Sequence, residues 1–125
     1  MSEPLRLAVI GAGPGGYTAA FRAADLGMRV SLIDEASQPG GVCLYRGCMP
    51  SKALLHIAKV MTEVRGASEW GVEFGEPQVD LQRLRTWKER VVKKLTGGLA
   101  QLSQQRAINY IQGRATLVNP HTIRV

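Results

Sequence analysis

Apolar positions change rhythm along the chain, and the changes mark its elements. Leu5 to Ile10 is a short apolar run ending in glycines, as in a buried parallel strand. Pro14 to Leu26 sets Tyr17, Ala20, Phe21 and Ala24 at helical spacing, and Gly27 stops the helix. Met28 to Ile33 is a second apolar run, closed by Asp34. Strand, glycine turn, helix and strand within about thirty residues make a βαβ unit.

Ser37 to Gly47 breaks the pattern and reads as loop. Pro50 fits the first turn of a helix, where its missing N–H costs nothing. Ala53, Leu54, Ile57, Ala58, Met61 and Val64 continue that helix on one face, with Gly66 as its stop. Gly71 to Gln78 is a connector. Asp80 caps a second helix, whose buried stripe is expected at Leu81, Leu84, Val91, Leu95, Leu99 and Leu102. Gly97-Gly98 either breaks this helix or packs tightly against a neighbour. Ile108–Ile111, Ala115–Val118 and Ile123–Val125 read as short strands, with a turn at Asn119–Thr122. The last strand runs to the final residue, from which a longer parent polypeptide is expected.

A chain of 125 residues holds one domain and one modest core. No window approaches the ~18 uninterrupted apolar residues of a membrane span. Met1 to Arg6 is polar and lacks a signal-peptide apolar run. A cytoplasmic location is therefore expected, with no membrane partner. The net charge is +6. Much of it lies at Arg83, Arg85, Lys88, Arg90, Lys93 and Lys94, against Asp80 and Glu89. No aromatics interleave these charges as in a single-strand binder, so they read as a solvated helix face, and no nucleic-acid partner is expected.

The turn Gly11-Ala-Gly-Pro-Gly-Gly16 follows the first strand and opens the first helix. In such a turn the first glycine permits the bend, the second admits a pyrophosphate, and the third lets helix approach strand. The helix N-terminus offers free N–H groups and a positive dipole end. Asp34 lies 23 residues after Gly11, near the spacing for an acid that grips a ribose. An acid there disfavours a 2′-phosphate. The turn by itself leaves FAD and NAD both open.

Cys43 and Cys48 are the only cysteines. On one ideal helix, residues five apart have Cα atoms roughly 8–9 Å apart, beyond the ~7 Å limit for a disulfide. A bridge needs irregular backbone, and Gly47 supplies the freedom. So short a loop gains little folding entropy from a bridge, which favours chemistry over stapling. Cys48 lies near a helix N-terminus, with Lys52 one turn further, and this setting favours a thiolate. Two unbonded thiols are the alternative. Zinc wants about four ligands, and His56 lies roughly 12 Å along the helix from Cys48, so no metal site is expected. His56 reads as a helix-surface residue and His121 as a turn residue.

Together, Gly11-Ala-Gly-Pro-Gly-Gly16-Tyr17 and Gly40-Gly-Val-Cys-Leu-Tyr-Arg-Gly-Cys-Met-Pro-Ser-Lys-Ala-Leu-Leu55 resemble the flavin disulfide reductases, and within them the dihydrolipoamide dehydrogenase branch. The resemblance extends through Arg85-Thr-Trp-Lys-Glu-Arg90 and Leu95-Thr-Gly-Gly-Leu99. It implies an α/β fold in which residues 1–125 are the N-terminal part of a Rossmann-like FAD-binding domain with a parallel sheet. It places FAD on Gly11, Gly13, Pro14, Gly16, Asp34, Glu35, Gly41, Val42, Cys43, Cys48, Lys52, Gly113 and Ala115. It makes Cys43 the outward thiol that exchanges with substrate, and Cys48 the thiol against the flavin. NAD and a His–Glu base pair would belong to further domains, which this chain lacks. The implied parent is a homodimer serving the lipoamide-bearing subunits of 2-oxo acid dehydrogenase complexes. Asp34 stands where the family usually has Glu, and Tyr45 where it usually has Asn. A mercuric or other disulfide reductase, or a non-catalytic flavin-binding module, are the alternatives.

Overall fold

The structure, a computed structural model, describes residues 3–125. The first two residues of the polar N-terminal stretch lie outside the described residues. Strand β1 (Arg6–Ile10), helix α1 (Pro14–Asp25) and strand β2 (Arg29–Asp34) form the expected βαβ unit, with β1 and β2 parallel. Helix α1 ends in a Schellman turn. Met28 N–H bonds Ala23 O at 3.1 Å, Gly27 N–H bonds Ala24 O at 2.9 Å, and Gly27 holds φ +85°.

The segment expected as loop contains a helix, α2 (Gly41–Tyr45). Buried Leu44 anchors this single turn, which is too short to show a helical period in the sequence. Helix α3 (Cys48–Gly66) follows after two residues. Gly66 keeps a helical conformation, and a 3₁₀ turn continues to Trp70. Gly71, at φ +81°, is the residue that ends the run. Ala53 is buried on α3 and Ile57, Met61 and Val64 are half-buried, whereas Leu54 and Ala58 of the expected face are exposed.

Helix α4 (Leu81–Gln105) is capped by Asp80, whose Oδ1 accepts the Arg83 N–H at 3.0 Å. It passes through Gly97-Gly98 unbroken. Its buried positions are Thr96 and Ser103, not the expected leucines. Leu81, Leu95 and Leu102 are exposed, and Leu84, Val91 and Leu99 are half-buried. Both buried hydroxyls donate to carbonyls one turn back, Thr96 to Val92 O and Ser103 to Leu99 O. Small side chains sit where α4 meets the loop before α2: a Cβ on Gly40 would lie 3.1 Å from Thr96 Cγ2.

Strand β3 (Asn109–Gln112) pairs in parallel with β2, giving the sheet order β1-β2-β3. Strands β4 (Thr116–Asn119) and β5 (Thr122–Arg124) form a separate antiparallel hairpin. The core lies between α1 and the sheet, in Ala12, Ala20, Ala23, Val30, Leu32 and Ile108. Strand β1 differs from the buried strand expected. It is an edge strand, and only Val9 is half-buried, because no neighbour covers its outer side. Among the described residues, no helix is long and apolar enough to cross a membrane.

Candidate functional site

The site begins where β1 turns into α1. Gly11 takes φ +93°, and its N–H bonds Ile33 O at 2.7 Å, closing the bend over the end of β2. Gly13 is the N-cap of α1 and Pro14 its first residue. A Cβ on Gly16 would collide with the Gly11 carbonyl oxygen, so the third glycine is what lets the helix close on the turn.

Asp34 ends β2 and braces that turn. Its Oδ2 accepts the Ala12 N–H at 2.7 Å and its Oδ1 the Ala36 N–H at 2.9 Å. A carboxylate has about four acceptor positions, so two remain for a ribose diol. Two clefts share Asp34 and Glu35. One, about 230 Å³, lies between Ile10, Gly11 and Ile33 and the segment Gly113–Ala115. The other, about 480 Å³, runs past Gly41 and Val42 to Tyr45 and Arg46. Both open at the carboxyl ends of the parallel strands, where open α/β sheets take their ligands. Gly113 reaches this end through its N–H bond to Asp34 O at 2.8 Å. Glu35 is exposed and meets Arg114 at 3.7 Å.

The glycine turn and the cysteine segment are joined directly. Gly40 N–H donates to Ala12 O at 2.8 Å. Gly41, at φ +61°, lies so close to the turn that a Cβ on it would stand 2.5 Å from Gly13 Cα. Cys43 follows within α2. Cys48 is the first residue of α3, so the pair spans a junction between two helices at Arg46 and Gly47. That junction is the irregular backbone the spacing demands. A Cβ on Gly47 would lie 3.1 Å from Val42 O and 3.5 Å from Cys43 Cα.

Both cysteines are free thiols in contact with each other. The Cys43 thiol is held above its ordinary range. Its hydrogen bond to the Cys48 side chain is the main cause, and desolvation and the charge of Cys48 add to it. The Cys48 backbone N–H and the Lys52 ammonium oppose the shift. Of the two, Cys43 is half-buried and Cys48 exposed in this chain, the reverse of the outward Cys43 that the resemblance implies for the parent. His56 lies exposed on α3, and His121 in the turn between β4 and β5.

Several residues here carry no sequence signal. Ala36 and Ser37 line the 480 Å³ cleft without a motif. Tyr110 Oη donates to Ala36 O at 2.8 Å from 74 residues away. Tyr45 carried a signal as a departure from the usual Asn, but its bond to Gln38 O at 3.1 Å could not be foreseen.

Comparison with known proteins decides the family. Residues 5–124 match the family described as pyridine nucleotide-disulphide oxidoreductase. The chain belongs to that family. Among its relatives is the dihydrolipoyl dehydrogenase of Vibrio cholerae serotype O1, 49% identical over 127 aligned residues that cover 100% of this chain and 27% of that protein. That of Haemophilus influenzae is 49% identical and covers 98% and 26%. The chain thus spans about a quarter of the length of these oxidoreductases. A solved structure of the same fold is the HOCl-induced flavoprotein disulfide reductase of Escherichia coli. It is 29% identical, with a TM-score of 0.75 over 97% of this chain and 24% of that one.

Proposed function

We propose that the chain forms the FAD-binding, dithiol-bearing part of a dihydrolipoyl dehydrogenase, which converts dihydrolipoamide and NAD⁺ to lipoamide, NADH and a proton. The observation that carries this reading is the pairing of Cys43 and Cys48 on a segment joined, through Gly40 and Gly41, to a dinucleotide turn. The dihydrolipoyl dehydrogenases that match across the whole chain support it.

The site fits a dinucleotide. Glycine backbone at Gly11, Gly13 and Gly16 leaves room for phosphates beside the N-terminus of α1. Asp34 keeps acceptor positions for a ribose, and Glu35 stands beside it. Gly41, Val42, Gly113 and Ala115 wall the clefts. FAD, when bound, supplies a two-electron carrier between the sulfur pair and the nicotinamide of NAD.

The protein's own chemistry is thiol–disulfide exchange. With the pair oxidised, a dihydrolipoamide thiolate attacks Cys43 Sγ. The Cys43–Cys48 bond breaks, and its electron pair stays on Cys48 Sγ. The second substrate thiol then closes on its own partner sulfur, releasing lipoamide and expelling Cys43, which takes up a proton. The pair now holds the two electrons. Cys43 suits the protonated role because its thiol holds its proton above the ordinary range. Lys52 and the N-terminus of α3 favour negative charge on this side of the pair. The role assignment rests on the raised Cys43 thiol and on the place of Cys48 at the N-terminus of α3, not on exposure. In the parent, NAD binding, homodimer formation and docking of lipoamide-bearing subunits of 2-oxo acid dehydrogenase complexes in the cytoplasm complete the proposal.

Three measurements test it. Denaturing the parent enzyme should release flavin; a colourless nucleotide alone would defeat the reading. Cys43→Ser and Cys48→Ser should each abolish lipoamide turnover in the parent, because one thiol cannot store two electrons as a disulfide. Cys43→Ser should keep a long-wavelength absorption band, from the Cys48 thiolate beside oxidised flavin, and Cys48→Ser should lose it. The opposite spectra would reverse the two roles.

A further inference from the structure

The segment between Asp34 and Gly41 forms a wall of the dinucleotide cleft, and side chains from elsewhere hold its carbonyls. Gln112 Nε2 donates to Glu35 O at 3.2 Å and Tyr110 Oη to Ala36 O at 2.8 Å, both from β3. Tyr45 Oη donates to Gln38 O at 3.1 Å from α2. Pro39, the residue after Gln38, is fully buried. Two of the three braces come from the sheet. The third comes from the helix that carries Cys43, two residues before Tyr45.

Tyr45 occupies a particular place in this arrangement. Its ring lines the 480 Å³ cleft with Asp34 and Glu35. It also lines a second cleft of about 530 Å³, between Ser37-Gln38 and α4. Tyr45 and Ser37 thus border both spaces, and the Tyr45 hydroxyl ties its side chain to the wall at Gln38. Tyr45 also lies near enough to Tyr110 to act on it electrostatically.

We propose that Tyr45 is a positioning residue that couples the dithiol helix α2 to the ribose-side wall of the dinucleotide cleft. Through its bond to Gln38, the orientation of α2 and the shape of the wall at Glu35–Gln38 become one structural variable. Whatever settles the wall also fixes Cys43 against Cys48. The proposal rests on the FAD reading for the ligand of the cleft, but not for the coupling itself.

The test uses Tyr45→Phe, which keeps the ring and removes only the hydroxyl, in two settings. In the 125-residue chain without cofactor, the rate of Cys43 alkylation by iodoacetamide is measured with Cys48 replaced by Ser. Freeing α2 from Gln38 should raise that rate about two- to tenfold, the range expected for one lost hydrogen bond. Tyr110→Phe, which frees the same wall from the sheet side, should raise it less. In the parent holoenzyme, Tyr45→Phe should weaken flavin retention by a similar factor, read as the fluorescence of released flavin. An alkylation rate unchanged by Tyr45→Phe overturns the coupling, even if the melting temperature falls, because a purely structural role would move stability alone. A parent that releases no flavin would sink the FAD reading while leaving the alkylation result to stand.

Discussion

The glycines packed around the first turn and those of α4 do opposite things. Gly16 is pressed against the Gly11 carbonyl and Gly41 against Gly13 Cα, so a single methyl group has nowhere to go. Gly97 and Gly98 lie inside a 25-residue helix, yet a Cβ on either meets nothing within 4 Å. The first pair is demanded by the fold of this chain. Nothing in the structure explains the second. The same contrast holds for apolar side chains. Around α1 they close a core of alanines, Val30, Leu32 and Ile108, whereas on α3 and α4 Leu54, Leu55, Val60, Leu95 and Leu102 face outward. The βαβ unit thus closes a core of its own on one side, although Leu7 and Ile10 of its edge strand stay exposed, and the two long helices close none.

The sharpest way to break the comparison is to add one methyl group in each half. Gly16→Ala should destabilise the chain by about 3 kcal/mol or more, since helix or turn must shift and overpacking of this kind is costly. Urea unfolding followed by circular dichroism would show it, and an unchanged midpoint would mean that α1 and the turn are looser than described.

A smaller effect comes from Tyr110, which braces the cleft wall. Burial, then the charge of Asp34, then Tyr45, push its phenol from 10.0 up to about 12. The native state therefore keeps this proton after the unfolded chain has released it. The contribution is fully present below pH 10 and is lost as pH rises through about 12. Tyr110→Phe should cost about 0.5–1.5 kcal/mol at neutral pH through the lost bond to Ala36 O. The gap between the two proteins should narrow between pH 10 and 12. A gap independent of pH across that window would show that the phenol is not held protonated.

The smallest effect has the opposite sign. Gly97→Ala should stabilise the isolated chain by about 0.5–1 kcal/mol, through helix propensity and reduced unfolded-state freedom. A loss of stability would reveal a close contact on that face.

These differences follow the boundary between what a sequence shows and what it hides. The βαβ unit was legible because each signal is local: an apolar run, glycines at set offsets, an acid at the end of the second strand. The cap at Asp80 and the cysteine spacing were legible for the same reason. Helix α2 was hidden because five residues cannot display a period of 3.6. The stripe on α4 was read correctly as a helix but wrongly as buried. Amphipathic spacing tells which residues share a face, not whether anything covers that face. Strand β1 misled in the same way, since an apolar edge strand and an apolar central strand look alike. The brace from Tyr110 to Ala36 joins residues 74 apart, and only the parallel pairing of β2 with β3 brings them together.

The joint at Arg46 and Gly47 has a consequence in terms of kinematics. Each sulfur belongs to a separate rod, one short and one long, and the rods meet at two residues, like the arms of a caliper. One arm is clamped to the glycine turn at Gly13 and to α4 at Thr96. The opening between the tips then depends on the backbone angles at the pivot as well as on what holds that arm in place. Residues that carry no sulfur can therefore set how readily the two tips close, and the pivot is where a sequence could retune the couple without touching either cysteine.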